Sequence, residues 1–291
     1  MGENYAMLKN EDAVVCRGIR QHYYPRNAKD FLPEDAESVP AALADKLDLL
    51  TTAFSLNMIP SGAADPYALR RTAQGITQLV LGLRLPMELT SAAVRLLDDQ
   101  QDLALDRTKL QNDLLDFLLQ RQRWFLQERG IRYDLIDAVL KTPAAIQSKQ
   151  EKTARPALAI EQLSFAEFLG EHLETDMFKR SVEAIVRAAN ISNKYADRIA
   201  EELNESALDL SEEKNFLTAL QPILNSDSQA LWSPDNYLQQ LRKIEPVVTR
   251  FFEDVMVMDE DPVKCGNRLW LCQQLAQWSG RHLDLQSIVF A

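Results

Sequence analysis

The sequence predicts an all-α protein, and three features lead to that prediction. Glycine is scarce, with 9 residues in a chain of 291, and alternating β-branched runs, which would indicate strands, are absent. Leu, Ala, Gln, Glu and Arg, which favour helices, dominate the composition. Apolar residues also recur at spacings of three and four, which places them on one face of a helix.

The length of the chain suits two domains, each able to bury its own core. A polar connector, DDQQDLALDR at residues 98–107, marks the boundary between them. We therefore predict a helical domain over residues 1–100 and a helical bundle over residues 105–291. In the first domain we expect helices at residues 11–23, 37–56, 67–83 and 86–97.

Two local patterns give the details of the first domain. The helical spacing of Leu43, Leu47, Leu50 and Phe54 predicts that these four side chains form a buried stripe. The pair Asp65-Pro66 has the residue types of a helix N-cap followed by the first helical position, where proline loses nothing by lacking an N–H. A helix is therefore expected to begin directly after it.

The second domain contains an informative stretch, FFEDVMVMDEDPVKCGNRLWL, which predicts a helix, an acidic corner and a second helix. Phe251, Phe252, Val255 and Met256 recur at helical spacing and should form the apolar face of the first helix. Asp261-Pro262 predicts the N-cap and first residue of the second helix.

Asn267 and Arg268 lie one turn into that second helix. In a corner so rich in capping residues, we expect them to be structural ties to the carbonyl groups of the corner rather than ligands. Elsewhere in this domain the patterns predict a loop at residues 141–155 and helices at residues 109–129, 134–140, 178–203, 211–224, 234–244 and 245–258.

The composition bears on several function classes. No apolar run approaches the length of a membrane span, and the N-terminus lacks the regions of a signal peptide. Cys16, Cys265 and Cys272 follow no metal-site spacing, which favours free thiols in a reducing cytoplasm.

The net charge of −11 argues against a general nucleic-acid binder. Residues 121–200, with 13 Lys and Arg against 11 Asp and Glu, are the exception and suggest a local cationic strip.

The sharpest pattern lies in residues 178–203. If this segment is one helix, Arg180, Arg187, Lys194 and Arg198 fall within a narrow angular sector and form a cationic stripe. Glu183 lies beside the stripe and compensates its charge only in part. We expect the four cations to contact phosphate groups, while the alternative is an ordinary charged surface of a helix.

Asn190 lies among these cations and is a candidate for contacts with base edges. Together with the neighbouring pair Ser192-Asn193, however, it could also split the helix and disperse the stripe. A second candidate surface is the predicted end of the helix at residues 109–129, where Arg121, Arg123 and Trp124 combine cations with an aromatic ring. The alternative for that surface is a solvated helix end with favourable charge.

A metal-dependent phosphohydrolase would need several His and Asp ligands around a divalent ion. The chain has three histidines, His22, His172 and His282, and none of them precedes an aspartate. His22 near Asp45 or Asp48 is better interpreted as a capping or packing residue. The sequence therefore predicts no metal site and no catalytic residue.

Two sets of motifs carry a family resemblance. The run V-M-V-M-x-E-D-P-x-x-x-x-N-R-L at residues 255–269 resembles the closing motif of the helical anticodon-binding domain of the bacterial glycyl-tRNA synthetase β subunit, and more loosely that of arginyl-tRNA synthetases. The segment R-A-A-N-I-x-x-K at residues 187–194 is similar to another segment of that domain. Four further motifs resemble segments of the HD-like helical domain of the same subunit. In order from residue 1 to residue 71 they are M-G-x-x-Y-A, H-Y-x-P-R, A-D-K-L-D and I-P-S-G-x-x-D-P-Y-A-L-R-R.

The resemblance implies a partial HD-like domain followed by a DALR-like anticodon-binding domain, and thus a C-terminal portion or a short form of the β subunit. It implies that the chain recognises the anticodon end of glycine tRNA. A separate α subunit, in an α2β2 assembly, would aminoacylate the tRNA with ATP and Mg²⁺, so this chain would hold no cofactor of its own. The alternatives are a helical scaffold for subunit assembly that does not read RNA, and a residual HD-type phosphohydrolase.

Overall fold

The computed structural model describes residues 1–87, 89–99, 106–141, 159–224, 233–281 and 283–290. Within these ranges the chain forms α-helices joined by loops and 3-10 turns, and no strand is present apart from an isolated bridge between Ser61 and Ala64. The predicted all-α class is confirmed. The chain divides into two compact units, one of Met1–Gly130 with Arg155–Leu163 and the other of Ile131–Ala154 with Ser164–Ala291.

The helices have well-defined limits. The first six are α1 (Gly2–Leu8), α2 (Ala13–Gln21), α3 (Ser38–Ser55), α4 (Leu69–Gly82), α5 (Leu89–Asp99) and α6 (Arg107–Glu128). They are followed by α7 (Tyr133–Leu140), α8 (Ala159–His172), α9 (Asp176–Lys194), α10 (Ser211–Leu224), α11 (Pro234–Asp254) and α12 (Pro262–Gly280). Three 3-10 turns occupy Ala196–Arg198, Glu205–Ala207 and Leu285–Ser287.

The core of the first unit is built on α3, which packs against α2, α4, α5 and α6. The predicted stripe is confirmed, because Leu43, Leu47, Leu50 and Phe54 are all buried. The ring of Phe54 meets the edge of Phe117 on α6 at a centroid distance of 5.4 Å. Helix α6, which we had placed in the second domain, therefore packs in the first unit, since its apolar face is covered by α3, α4 and α5.

The start of α4 differs from its prediction. Asp65 does cap the helix, because its carboxylate accepts hydrogen bonds from the backbone N–H groups of Leu69 at 2.8 Å and Arg70 at 3.0 Å. The helix begins at Leu69 rather than at Pro66, however, because the chain makes an intervening turn that ends with Ala68 in the left-handed conformation at φ 55°. Placing Pro66 at the first helical position was wrong.

In the second unit, α11 is one helix rather than the two predicted. Pro246 lies inside it, where its missing N–H and its ring disfavour a continuous helix. The buried residues Tyr237, Leu241, Ile244 and Val248 nevertheless continue at spacings of four and three through the proline. Burial of this continuous apolar face outweighs the local cost of the proline.

The acidic corner between α11 and α12 confirms some predictions and corrects others. Asp261 caps α12 as predicted, because its carboxylate accepts from the N–H of Val263 at 2.8 Å. Helix α11 ends at Asp254, so Val255 and Met256 belong to the corner and not to the helix. Met256 is 77% exposed, and its predicted place on the apolar helix face was wrong because the corner backbone turns it outward.

Arg268 ties the corner together as predicted. Its Nη1 donates to the carbonyl oxygen of Met256 at 2.8 Å and to the carboxylate of Asp259 at 2.6 Å, and its Nε donates to Glu213 at 2.5 Å. Asn267 bonds elsewhere: its amide group pairs with the backbone of Asn204, accepting at 3.0 Å and donating at 2.8 Å. The prediction that Asn267 ties the corner was therefore wrong.

The histidines and cysteines in the described part of the chain have structural roles. The Nδ1 atom of His22 lies 3.2 Å from the carbonyl oxygen of Gly18, which agrees with the capping role expected for it. Cys16, Cys265 and Cys272 are buried free thiols. Among the described residues, no group of three or more His, Cys, Asp or Glu could hold a metal ion. His282 and Trp232, like the predicted loop beyond residue 141, lie outside the described residues.

No described helix combines the length and apolar character needed to cross a membrane.

Asp134 on α7 binds the C-terminal segment, and we expect its contribution to stability to depend on pH. Its buried carboxylate accepts two hydrogen bonds from Arg132, both 2.6 Å, and one from the N–H of Val289 at 2.9 Å. The Arg132 guanidinium, helped by the Val289 N–H, holds the pKa of Asp134 below its ordinary value. Asp134→Asn should therefore lower the free energy of unfolding by about 2 kcal/mol at pH 7. The difference should shrink once the pH falls below about 4, the usual pKa of an unfolded aspartate, because the carboxylate then loses its advantage in the folded state.

Urea unfolding of the wild type and Asp134→Asn at pH 7 and pH 3 measures this difference. Asp254→Asn is the matched control, because its ion pair with Arg250 is exposed on the surface of α11 and should contribute less than about 0.5 kcal/mol. Equal effects of the two substitutions at pH 7 would contradict the role given to Asp134.

Candidate nucleic-acid interface

Helix α9 separates an apolar face from a charged face. Phe178, Val182, Ile185 and Ala188 are buried at spacings of four and three, where α9 packs on α11 and α12. The opposite face exposes Glu183, Arg187, Asn190 and Lys194, again at spacings of four and three. The burial of one face thus fixes the direction in which the charged face points.

The helix ends at Lys194, earlier than predicted. Tyr195 is the C-cap, and Arg198 lies on the following 3-10 turn rather than on α9. The hydroxyl of Ser192 donates to the carbonyl oxygens of Ala188 at 2.9 Å and Ala189 at 3.1 Å near this end; such back-bonding competes with the regular helix. The prediction that Arg198 continues the cationic stripe on α9 was therefore wrong.

A close approach to α12 explains why the chain turns here. The backbone N–H of Ala200 donates to the carbonyl oxygen of Gly266 at 3.3 Å. A Cβ atom at position 266 would lie 3.2 Å from the carbonyl oxygen of Arg198 and 3.3 Å from Ala200. The absence of a side chain at Gly266 thus accommodates the close approach of residues 198–200 to α12.

The charged face of α9 borders a groove with a cavity volume of about 590 Å³. We call it the α9 groove. The acidic corner contributes Met258, and α9 with its C-cap contributes the rest, so the lining comprises Glu183, Val186, Arg187, Asn190, Ile191, Lys194, Tyr195 and Met258. Three of the predicted site residues, Arg187, Asn190 and Lys194, are thus brought together in one groove.

Aromatic rings hold the cations of this region. The guanidinium carbon of Arg187 lies 4.5 Å from the ring centroid of Phe252. Lys194 Nζ and the guanidinium carbon of Arg198 lie 5.2 Å and 5.7 Å from the centroid of the Tyr195 ring. Cation–π contacts of this kind order the side chains while leaving their N–H donors available to an anion.

Arg180 differs from the other members of the predicted stripe. It lies on α9 two turns before Arg187 and forms an ion pair with Glu245 of α11 at 3.1 Å. It is not part of the lining of the α9 groove. Its positive charge is compensated by that carboxylate, so we expect a weaker contribution to the binding of an anion than from Arg187 or Lys194.

Arg121, Arg123 and Trp124 lie near the end of α6 in the first unit. All three are half-buried. The guanidinium carbon of Arg121 lies 5.5 Å from the ring of Phe117, and its Nε is buried without a hydrogen-bond partner among the described residues. Burial, with a further contribution from the charge of Arg70, holds the pKa of Arg121 below its ordinary value. Their contact with RNA stays a prediction.

The sequence patterns did not assign Tyr195 or Met258 to the α9 groove. Tyr195 could have been found from its place between Lys194 and Arg198, because an aromatic ring beside cations is typical of RNA-binding surfaces. Met258 could not, because it reaches the groove only through the turn of the acidic corner.

Comparison with known proteins relates these features to a family. Residues 1–141 match the family described as glycyl-tRNA synthetase beta subunit, and residues 182–286 match the DALR anticodon binding domain. The glycine–tRNA ligase beta subunit of Halalkalibacterium halodurans is 33% identical, and the alignment covers 100% of this chain and 40% of that protein. The beta subunit of Streptococcus pyogenes serotype M49 is 35% identical, with 94% of this chain and 37% of that protein covered.

The α9 groove therefore lies on a domain of the DALR anticodon-binding class. The chain belongs to the glycyl-tRNA synthetase β-subunit family, and it aligns with the C-terminal part of its relatives. It spans about two fifths of the length of the curated relatives it matches.

Proposed function

We propose that the chain is the tRNA-binding portion of a glycyl-tRNA synthetase β subunit and that it recognises the anticodon end of glycine tRNA. The observation that carries this proposal is the α9 groove, whose three predicted site residues all fall within the region that matches the anticodon-binding family, residues 182–286. Aminoacylation itself belongs to a separate α subunit in the cytoplasm. In this proposal ATP and Mg²⁺ bind to that α subunit.

The described residues suit positioning of the RNA. Arg187 and Lys194 present N–H donors from an ordered, exposed face, which is the arrangement that phosphate contacts require. Arg198 extends the positive charge beyond the C-terminal end of that face, whereas Arg180 contributes less because Glu245 pairs with it at 3.1 Å. Asn190 has both a donor and an acceptor group between the two cations and can contact a base edge.

The bases of an anticodon loop are accessible because they are not paired within a helix. Glycine anticodons end in two cytosines, and each cytosine presents an amino donor beside two acceptors. A groove that discriminates glycine tRNA from others should therefore respond to changes at these two bases. Arg123 and Trp124 of the first unit are proposed to make further base contacts.

Titration of the chain with glycine tRNA and anticodon variants tests this proposal. Changing either cytosine to uridine should weaken binding by about tenfold, the effect of losing a good contact to a base edge. The first anticodon base, which differs among glycine tRNAs, is the matched control and should tolerate substitution. Equal affinity for all the variants would contradict anticodon recognition and would leave a scaffold role instead.

A further inference from the structure

Glu183 is the acidic residue in the lining of the α9 groove. An acid in a groove that attracts a polyanion weakens that attraction, so its presence there needs a reason. We expected from the sequence that Glu183 would compensate neighbouring cations of the stripe. In the structure none of those cations forms a hydrogen bond or ion pair with Glu183.

Each basic neighbour of Glu183 on its own helix has another contact. Lys179, one turn before it, forms an ion pair with Glu174 at 3.2 Å. Arg180 pairs with Glu245 at 3.1 Å, and Arg187, one turn after it, lies over the ring of Phe252 at 4.5 Å. Within the part of the chain that the structure describes, no hydrogen bond or ion pair engages the Glu183 carboxylate. Its oxygens are therefore available to a donor that enters the groove.

We propose that Glu183 is the residue that distinguishes cytosine from uracil at one position of the anticodon. This inference rests on the proposed function and names a specificity-determining residue for it. A carboxylate is an acceptor only, and the amino group of cytosine is a donor at the position where uracil carries a carbonyl oxygen. The amino group of cytosine would donate a hydrogen bond to Glu183. The carbonyl oxygen of uracil would instead face the carboxylate, and because both groups are acceptors no hydrogen bond could form.

The rest of the groove complements cytosine as well. Beside its amino group cytosine presents a ring nitrogen and a carbonyl oxygen, both of which are acceptors. Asn190 lies seven residues further along the same face, and its side-chain amide supplies a donor for these acceptors. Glu183 as an acceptor and Asn190 as a donor thus complement the donor and acceptor groups of the cytosine edge. A guanine base presents the reverse arrangement at the corresponding edge.

The test compares Glu183→Gln with the wild type for binding to glycine tRNA and to its two cytosine-to-uridine variants. Glutamine can present either an acceptor or a donor, so Glu183→Gln should bind cytosine and uracil alike. For one of the two variants, the wild-type preference of about tenfold should fall to within about twofold of equality in Glu183→Gln. Overall affinity should rise slightly for every RNA, because a negative charge leaves the groove.

Glu253→Gln is the matched control. Glu253 is exposed on α11 and is absent from the groove lining, so its substitution changes the net charge equally and should leave the preference for cytosine intact. A preference retained in full by Glu183→Gln would overturn the role of Glu183 while anticodon recognition stands. A wild-type chain indifferent to both cytosines would overturn the proposed function and this inference together.

Discussion

Replacing Arg268 with methionine is expected to lower the free energy of unfolding of the second unit by about 3–5 kcal/mol, the effect of breaking a buried ion pair from one side. The side chain of Arg268 is 5% exposed and that of its partner Glu213 is 1% exposed. Methionine fills much of the volume of arginine but donates no hydrogen bond. Glu213 would then keep a buried negative charge. Among the described residues, it would still accept a hydrogen bond from the N–H of Leu210 at 2.9 Å. The hydrogen bonds that Arg268 donates to Met256 and Asp259 in the corner would also be lost.

Urea unfolding followed by near-ultraviolet circular dichroism measures the loss. Arg250→Met is the matched control, because Arg250 pairs with Asp254 at 3.4 Å where the two side chains are 72% and 51% exposed, and such a pair contributes less than about 0.5 kcal/mol. Adding Glu213→Leu to Arg268→Met should recover part of the stability, since it removes the unpaired charge. If Arg268→Met costs no more than Arg250→Met, the buried cluster does not stabilise the corner.

The features that the sequence predicted correctly are those set by neighbouring residues. Helix α10 runs over the predicted residues 211–224, and α12 begins after Asp261 as its capping pattern indicated. The hydrogen bonds of Arg268 to the corner could be anticipated because Met256 and Asp259 lie only 12 and 9 residues before it in the sequence. The contact with Glu213 could not be anticipated, because 55 residues separate Glu213 from Arg268.

The features that the sequence did not predict depend on packing between distant segments. Continuous burial along α11 carries the helix through Pro246, although the proline by itself indicated a break. The crossing of α12 at Gly266 ends α9 and removes Arg198 from it. The same limit applies to the α9 groove: spacing alone gave Arg187, Asn190 and Lys194, but Met258 and the engagement of Arg180 with Glu245 required the fold.

Removing Arg187 and Lys194 together is expected to flatten the salt dependence of tRNA binding by about two units. Each phosphate contact releases counterions and contributes about 0.7–1 to the slope of log affinity against log salt concentration. The two residues lie seven positions apart on α9, so their charges are about 10 Å apart along the helix axis and can meet separate phosphate groups. Binding of glycine tRNA to Arg187→Ala/Lys194→Ala at salt concentrations from about 50 to 200 mM measures the slope over the range where the effect is large.

The control for this pair is Lys243→Ala/Arg250→Ala, which removes the same charge from exposed positions of α11 outside the α9 groove. If the groove binds the RNA backbone, this control should leave the slope nearly unchanged, because charges that meet no phosphate release few counterions. Arg180→Ala should have a smaller effect than either groove residue, since its guanidinium already pairs with Glu245 at 3.1 Å. Equal slopes for the two double variants would mean that the chain binds tRNA through its overall field and not through the α9 groove.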